Sequence, residues 1–544
     1  MEKGTGRTGA NKGAGSKFLK IGALVLVASG LAWAVNAAMS QPEMPPASPP
    51  ERSLDAVRQD LTSTLPVVRA QAVVALAQMQ DQEAIVPLRT LLHSDSSATV
   101  RGVAAIALGS FKDTASTATI AALLAPGQDI SPDVVLDALG RMGDPAGAAA
   151  VLPLLNADHD VLRLQAVEAL VAMQAHAQGN AILRMALANQ DVEKAKNFAV
   201  VLGKLKVSAA QDYLIGLARD TPASPTLSAS YLALGRIGST KAIAVLSEAI
   251  GRDFVKGREN AVEALLLIHS PEALPRMFPY LAHDDREIRF SAAEIIAQTP
   301  DGHSGPKLLQ ALETHAAKVV GPAAYALGRL KYLPAQPTLA ALLANPASPE
   351  REILARAFGW MGSKDNIPLL IQTLREADGE GRYGAAWSLG ILEAAEAVDD
   401  LQKAANGNST KLANLSIEAL GMIRSEKSLP YLAQKAQTHP ELATTVLASI
   451  ANLPGTQARL TLEKFANHKD LRLSRPALQG LAQRKDADAV PALIQMIDTA
   501  TPDNRKQVYF ALSAVTGHKY ATASEWRSWY AKAQAAPVSS PARD

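Results

Sequence analysis

One interval governs this chain. From residue 76 to residue 512 a small residue followed by Leu or a similar apolar residue, often with Gly next, returns every 30–32 residues. The anchors are Leu76, Leu108, Leu139, Leu170, Leu202, Leu234, Leu265, Ile296, Leu327, Phe358, Leu389, Leu420, Ile450, Leu481 and Leu512. A period of this size with so little drift belongs to a solenoid, in which each unit buries its apolar face against the next. The chain has no cysteine and only 4% aromatic residues, and Ala and Leu dominate. That favours helix and excludes disulfides, thiolate zinc sites, iron–sulfur centres and cysteine nucleophiles.

Each column of the repeat has a physical reading. Four residues before the anchor, Ala recurs at 72, 104, 166, 261, 292, 323, 385 and 477. One helical turn separates the two positions, so both face the same neighbour and Ala lets it approach closely. One residue after the anchor, Gly recurs at 109, 140, 203, 235, 328, 359, 390 and 421, serving either as a helix stop or as a close-packing site. Seven before it, Arg recurs at 69, 101, 163, 258, 289, 351, 382 and 505. A cation in the first turn opposes the helix dipole. A partner is therefore expected, with Asp160, Asp284, Asp285 and Glu350 as candidates. Between anchors lie second apolar helices such as 84–92, 148–155, 242–250, 366–374 and 489–497, introduced by turns such as 143–145, 238–240 and 362–364. No strand-like alternation appears.

Strings such as ATVRGVAAIALGSFKD (98–113), DVLRLQAVEAL (160–170), EIRFSAAEIIA (287–297) and ALGRMGDPAGAAAVLPLL (138–155) carry a family likeness. The pattern resembles the short HEAT-like repeats of the phycobilisome-lyase type, over about residues 54–515. The resemblance implies an all-α, right-handed solenoid of about fifteen helical pairs with the Arg-bearing helix lining a concave surface. It also implies, as one alternative function, an enzyme subunit that attaches bilin to a client protein.

The first forty residues differ from the rest. Residues 1–20 carry Lys3, Arg7, Lys12, Lys17 and Lys20 against Glu2, a basic tail, and residues 21–39 are uncharged. Nineteen apolar residues in a helix would span about 29 Å, close to the hydrocarbon thickness. We therefore expect one N-terminal transmembrane signal anchor over 21–39, single-pass in the inner membrane with its N-terminus inside. The alternative is a signal peptide cleaved after Val35-Asn36-Ala37, releasing a secreted protein. Either reading puts the repeats in the periplasm or outside the cell. A Pro-rich linker (40–52), the repeats (53–516), a capping helix (517–535) and a disordered tail (536–544) complete the expected organisation. Beyond residue 40 the chain carries 49 basic and 51 acidic residues, so nucleic-acid binding lacks an electrostatic basis.

No Walker A, H-E-x-x-H or G-x-S-x-G sequence occurs. Gly4-Thr5-Gly6-Arg7-Thr8-Gly9 matches G-x-G-x-x-G but follows no strand pattern. His283-Asp284-Asp285 reads as a solvated turn. The expectation is therefore no enzyme, no cofactor and no metal. The informative asymmetry lies two residues either side of the anchors, where side chains project outward. Acidic and basic entries there predict intramolecular ion pairs. Tyr325, Arg329, Arg356, Trp360, Tyr383 and Trp387 cluster in three consecutive repeats. Those residue types dominate binding hot spots. They are candidate protein-binding residues, for a partner whose identity the sequence does not name; glycan or peptidoglycan binding is a second alternative, and simple filling of a wider groove a third. Trp526, Trp529 and Tyr530 form a stripe read as a lid on the last repeat. The function expected is a scaffold that binds partner proteins during assembly of a periplasmic or membrane complex.

Overall fold

A computed structural model describes residues 53–535, apart from Asp253 and Pro300. The described residues form helices, short 3₁₀ turns and connections, with no β-strand among them. Every anchor sits in its own helix, from Leu76 in Pro66–Gln78 to Leu512 in Pro502–Thr516. Each is at most 1% exposed. The Ala column four residues earlier is buried as well. The second helix between two anchors packs chiefly on the anchor helix that comes after it, which gives two layers. The chain divides into two units, residues 1–273 and 274–544, each built from such pairs.

Helix length follows from a stop four residues past the anchor. Gln80, Lys112, Gln174, Lys206, Lys331, Glu393 and Lys485 all have φ between 50° and 56° there, and Gly143, Gly238 and Gly362 take the same left-handed conformation. The next residue's N–H then bonds the anchor carbonyl, as in Asp113 to Leu108 (3.0 Å) and Tyr332 to Leu327 (3.0 Å). This is a Schellman closure. The column of Gly one residue after the anchor is thus not the stop. A Cβ on Gly203 or Gly235 would stand 2.5 Å from the Cα of Ala233 or Ala264 in the next anchor helix. These glycines let adjacent helices touch.

The recurrent Arg in the first turn bonds upstream carbonyls, and Arg69 and Arg101 also pair with the downstream Asp95 and Asp129, which corrects the expectation that upstream carboxylates alone would serve. Arg69 donates to Ser63 O (2.7 Å), Arg101 to Asp95 O (2.6 Å), Arg163 to Ala157 O (2.7 Å) and Arg289 to His283 O (2.8 Å). Each carbonyl lies six residues upstream, where the preceding helix ends or its connection begins, so the cation satisfies acceptors that a finished helix leaves open. Arg163 also reaches Asp160 at 3.2 Å. Glu350 instead pairs with Arg286, and Arg351 with Glu376. A second ladder joins arginines to a carboxylate just before or within the next second helix: Arg58 to Asp81 (2.6 Å), Arg89 to Asp113, and Arg375 to Asp400 (2.8 Å). The guanidinium hydrogen bonds hold all three carboxyls below the usual carboxylate range.

The expected transmembrane helix is corrected. Residues 21–39 lie outside the described residues, as do the basic tail, the linker and the C-terminal tail. Among the described residues no helix is long and apolar enough to cross a membrane. The longest helix among them, Pro502–Thr516, has 15 residues, or about 22 Å, short of the ~30 Å hydrocarbon core.

Candidate protein-binding face

Five consecutive anchor helices of the C-terminal unit carry the candidate site: α1 (Arg286–Gln298), α2 (Ala317–Arg329), α3 (Arg351–Met361), α4 (Gly381–Ile391) and α5 (Thr410–Ile423). Their outward positions bring rings from different repeats into one row. Phe290 meets Tyr325 edge-on at 5.9 Å, Tyr325 meets Trp360 at 5.1 Å, and Trp360 meets Trp387 at 5.6 Å. Tyr325, Trp360 and Trp387 are partly exposed. Edge-on and tilted pairs at these distances suit the ring quadrupole and hold the row rigid.

The glycine column makes the row possible. A Cβ on Gly328 would lie 3.0 Å from Cε3 of Trp360, and one on Gly359 would lie 2.8 Å from Cζ3 of Trp387. One on Gly390 would lie 3.1 Å from Sδ of Met422. Each large side chain therefore lies over the Gly of the preceding helix. The row continues past Trp387 to Met422, and exposed Ile391 adds apolar surface on α4.

Charged groups border the row on the side of the helix N-termini. The Arg356 guanidinium stacks on Trp387 at 5.0 Å and bonds Glu352 at 3.0 Å. Lys411 bonds the other Glu352 oxygen at 2.8 Å and covers the Tyr383 ring at 4.0 Å. Arg356 and Glu352 are buried, so this pairing is a structural tie of α3 to α5 as well as a border. Arg286 stacks on Phe290 at 4.4 Å and bonds Glu350 at 2.9 Å. Tyr325 donates its hydroxyl hydrogen bond to Glu294. Burial first, and then the Glu294 carboxylate, push that hydroxyl well above the ordinary phenol range, so it remains a donor at any physiological pH.

The structure thus joins Tyr325, Arg356, Trp360 and Trp387, with Arg329 at the end of the same helix as Tyr325. It sets Tyr383 to the side, linked to the row through Lys411 and Glu352 and within 3.4 Å of Ser409 Oγ. Phe290, Glu352, Lys411 and Met422 belong to the face and are missing from the sequence reading. Met422 stands in the column two after an anchor, and Phe290 stands one helical turn before Glu294 in the column two before one. Both were reachable from spacing; Glu352 and Lys411 meet only through packing.

The C-terminal aromatic residues occupy a separate place. Trp526, on α6 (Ala523–Ala535), is fully buried and donates to Tyr520 O at 3.2 Å. Trp529 and Tyr530 are partly exposed, and Trp529 packs on His518 at 5.1 Å. Helix α6 lies on the second helix Val490–Thr499. In the turn at His283-Asp284-Asp285, the ring Nδ1 accepts from Asp285 N–H (3.0 Å), Asp284 pairs with Lys318, and Asp285 caps Glu287 N–H (2.8 Å). Among the described residues no group of three or more His, Asp or Glu converges to hold a metal ion. Of the expected outward ion pairs, Asp137 and Arg141 meet at 2.8 Å, both half exposed.

A family model described as HEAT repeats matches residues 54–132, 180–265, 252–328, 335–421 and 367–444, together more than half of the chain. No curated protein sequence matches. Among solved structures, yeast importin-β (Kap95p) is similar at 14% identity, covering 96% of this chain and 83% of that one, with TM-score 0.47. Kap95p in its complex with RanGDP matches at 13% identity over 85% of this chain and 67% of that one, TM-score 0.46. Kap121p bound to Nup53p matches at 11% identity over 87% and 71%, TM-score 0.36. What those karyopherins bind is a property of theirs.

Proposed function

Because this chain belongs to the HEAT-repeat family, we propose that it is a non-enzymatic scaffold that holds a partner protein on the anchor-helix face of its C-terminal unit. The observation that carries this reading is the row Phe290–Tyr325–Trp360–Trp387, rigid, partly exposed and contributed by four successive repeats. A row of aromatic side chains offers a partner a large apolar contact with little conformational entropy left to lose. Within the unit, anchor helices pack on one another more closely than second helices do. The more closely spaced layer lies inside the curve of a stack, so the row faces the concavity, a site suited to an extended partner. Against an enzyme stands the state of the local acids: Glu352 is held by Arg356 and Lys411, and Glu294 accepts from Tyr325, so each is already bound up in structure.

The phycobilisome-lyase likeness comes from the repeat strings alone, and bilin attachment would show as a new visible absorbance on mixing the protein with a bilin. Assembly of a larger complex outside the cytoplasm rests on the basic residues before an uncharged run. A reporter active only in the periplasm, fused after residue 52, should be active; inactivity would remove the exported assignment.

The central test places a photoreactive residue at Ile391, beside the row, and another at Val86 on a second helix of the N-terminal unit. In cells, the first should crosslink to a discrete partner, and the crosslink should vanish in the Trp360→Ala/Trp387→Ala double variant. Equal crosslinking from both positions would defeat the proposal.

A further inference from the structure

The row ends at a cavity. Met422, its last member, lines a space of about 380 Å³ together with Arg424, Asn452, Pro454, Gln483 and Arg484. These residues come from the C-terminal ends of three successive anchor helices: α5, Ala443–Asn452 and Leu471–Arg484. The lining holds two guanidinium groups and no carboxylate. Arg484 is committed to the chain: it donates to the carbonyls of Ala451 and Gly455, each at 3.1 Å, and to that of Leu453, pinning the connection after Asn452. Gln483 donates to Asn452 Oδ1 at 2.8 Å. Arg424 is exposed and makes no ion pair among the described residues. Its backbone is held at φ 56°, in the left-handed stop of α5, so its side chain leaves the helix end at a fixed place. Glu426 sits beside Gly455, outside the lining.

The two borders of the row therefore differ in charge. On the side of the helix N-termini the cations that cover rings have their acids: Arg286 has Glu350, and Arg356 and Lys411 share Glu352. On the side of the C-termini, Arg329 and Arg424 have no ion-pair partner among the described residues. Helix C-termini favour cations, and that accounts for basic residues there. It does not account for a concave, cation-lined space open at the end of an aromatic row.

We infer that the docking partner is an acidic, apolar peptide segment whose Asp or Glu carboxylate enters this cavity against Arg424 while its apolar side chains lie along Trp387 and Trp360. The inference rests on the scaffold reading above and adds the chemistry of the ligand. A carboxylate there gains a bidentate guanidinium partner and the field of Arg484. A basic segment would meet cations already lacking counter-ions.

The test is selection of random twelve-residue peptides displayed on phage against the full chain. Selected sequences should combine Asp or Glu with aromatic or aliphatic residues. Arg424→Glu should weaken their binding tenfold or more, as should replacing their acids by Gln or Asn. Arg424 is exposed, so its circular dichroism and melting should stay as in the parent. Peptides lost on the Trp360→Ala/Trp387→Ala variant but neutral or basic in composition would overturn the acidic assignment and leave the aromatic row standing as a docking face. Peptides indifferent to the double variant, or no selectable peptide, would overturn both.

Discussion

Two residues before and two after Leu139, in the N-terminal unit, stand Asp137 and Arg141, an exposed ion pair at 2.8 Å. The same two positions around Phe358, in the C-terminal unit, hold Arg356 and Trp360. There the guanidinium is buried against Glu352 and stacked on Trp387, and the indole packs on rings from both neighbouring repeats. The anchors themselves are alike, both fully buried. The same helix pair thus supports a solvated face in one region and a preorganised aromatic face in the other. What changes between them is confined to positions that the core does not use.

The comparison breaks most visibly in the core. Leu108→Asp in the N-terminal unit and Leu327→Asp in the C-terminal unit should each cost at least about 3 kcal/mol, since both lose a fully buried side chain and bury a carboxylate. Denaturant melts followed by circular dichroism measure this, and a large loss in one unit with none in the other would mean the two cores are not equivalent. Outward substitutions should separate the units. Trp360→Ala forfeits two ring contacts and part of its buried area, about 1–3 kcal/mol, whereas Asp137→Ala removes an exposed pair worth about 0.2–1 kcal/mol. Equal effects would show that the aromatic row contributes no more rigidity than a surface ion pair.

Acid should treat the units alike. Asp113 and Asp400 have carboxyls lowered by hydrogen bonds from Arg89 and Arg375. A lowered carboxyl stabilises the folded chain above its unfolded value, about 3.9, and that stability is lost as pH falls through the folded value. Melting temperature should therefore hold down to about pH 5 and fall below about pH 4. Asp113→Asn and Asp400→Asn should each flatten that fall; an effect from only one of them would localise the acid-sensitive ladder to its unit. The helix stops give a further contrast of modest size. Lys331→Gly relieves a left-handed side chain and should stabilise by up to about 1 kcal/mol, while Gly362→Ala at the equivalent stop should destabilise by about 1–2 kcal/mol.

Periodicity alone made the helix pairs and their core legible, because a buried anchor and a small residue one turn earlier can be read from spacing. Tyr325, Trp360 and Trp387 were legible as neighbours for the same reason. The partners of the Arg column were not, since a backbone carbonyl at a helix end leaves no mark on residue identity: Arg289 reaches His283 O although Asp284 and Asp285 stand nearby. Nor was the glycine column resolved. Gly after an anchor suits a helix stop as well as a close contact, and only the neighbouring Ala233, Ala264 or Trp387 decides between them. The tie from Glu352 to Lys411 spans 59 residues and two repeat boundaries, beyond what any column describes.

The left-handed stop bears on how such a chain can change its length. Each closure is local: the anchor carbonyl, the left-handed residue and the next N–H lie within six consecutive residues, as from Leu327 to Tyr332. A helix that ends by its own hydrogen bonds does not depend on its neighbour to tell it where to end. Removing or duplicating one whole period, for instance the stretch from Asp113 to Gly143, would therefore carry its own punctuation with it and leave every remaining helix in phase. Cutting half a period would strand an anchor without its stop. Gain and loss of material should then come in steps of about 31 residues, and the outward positions around each anchor can be rewritten between such steps while the frame that carries them stays the same.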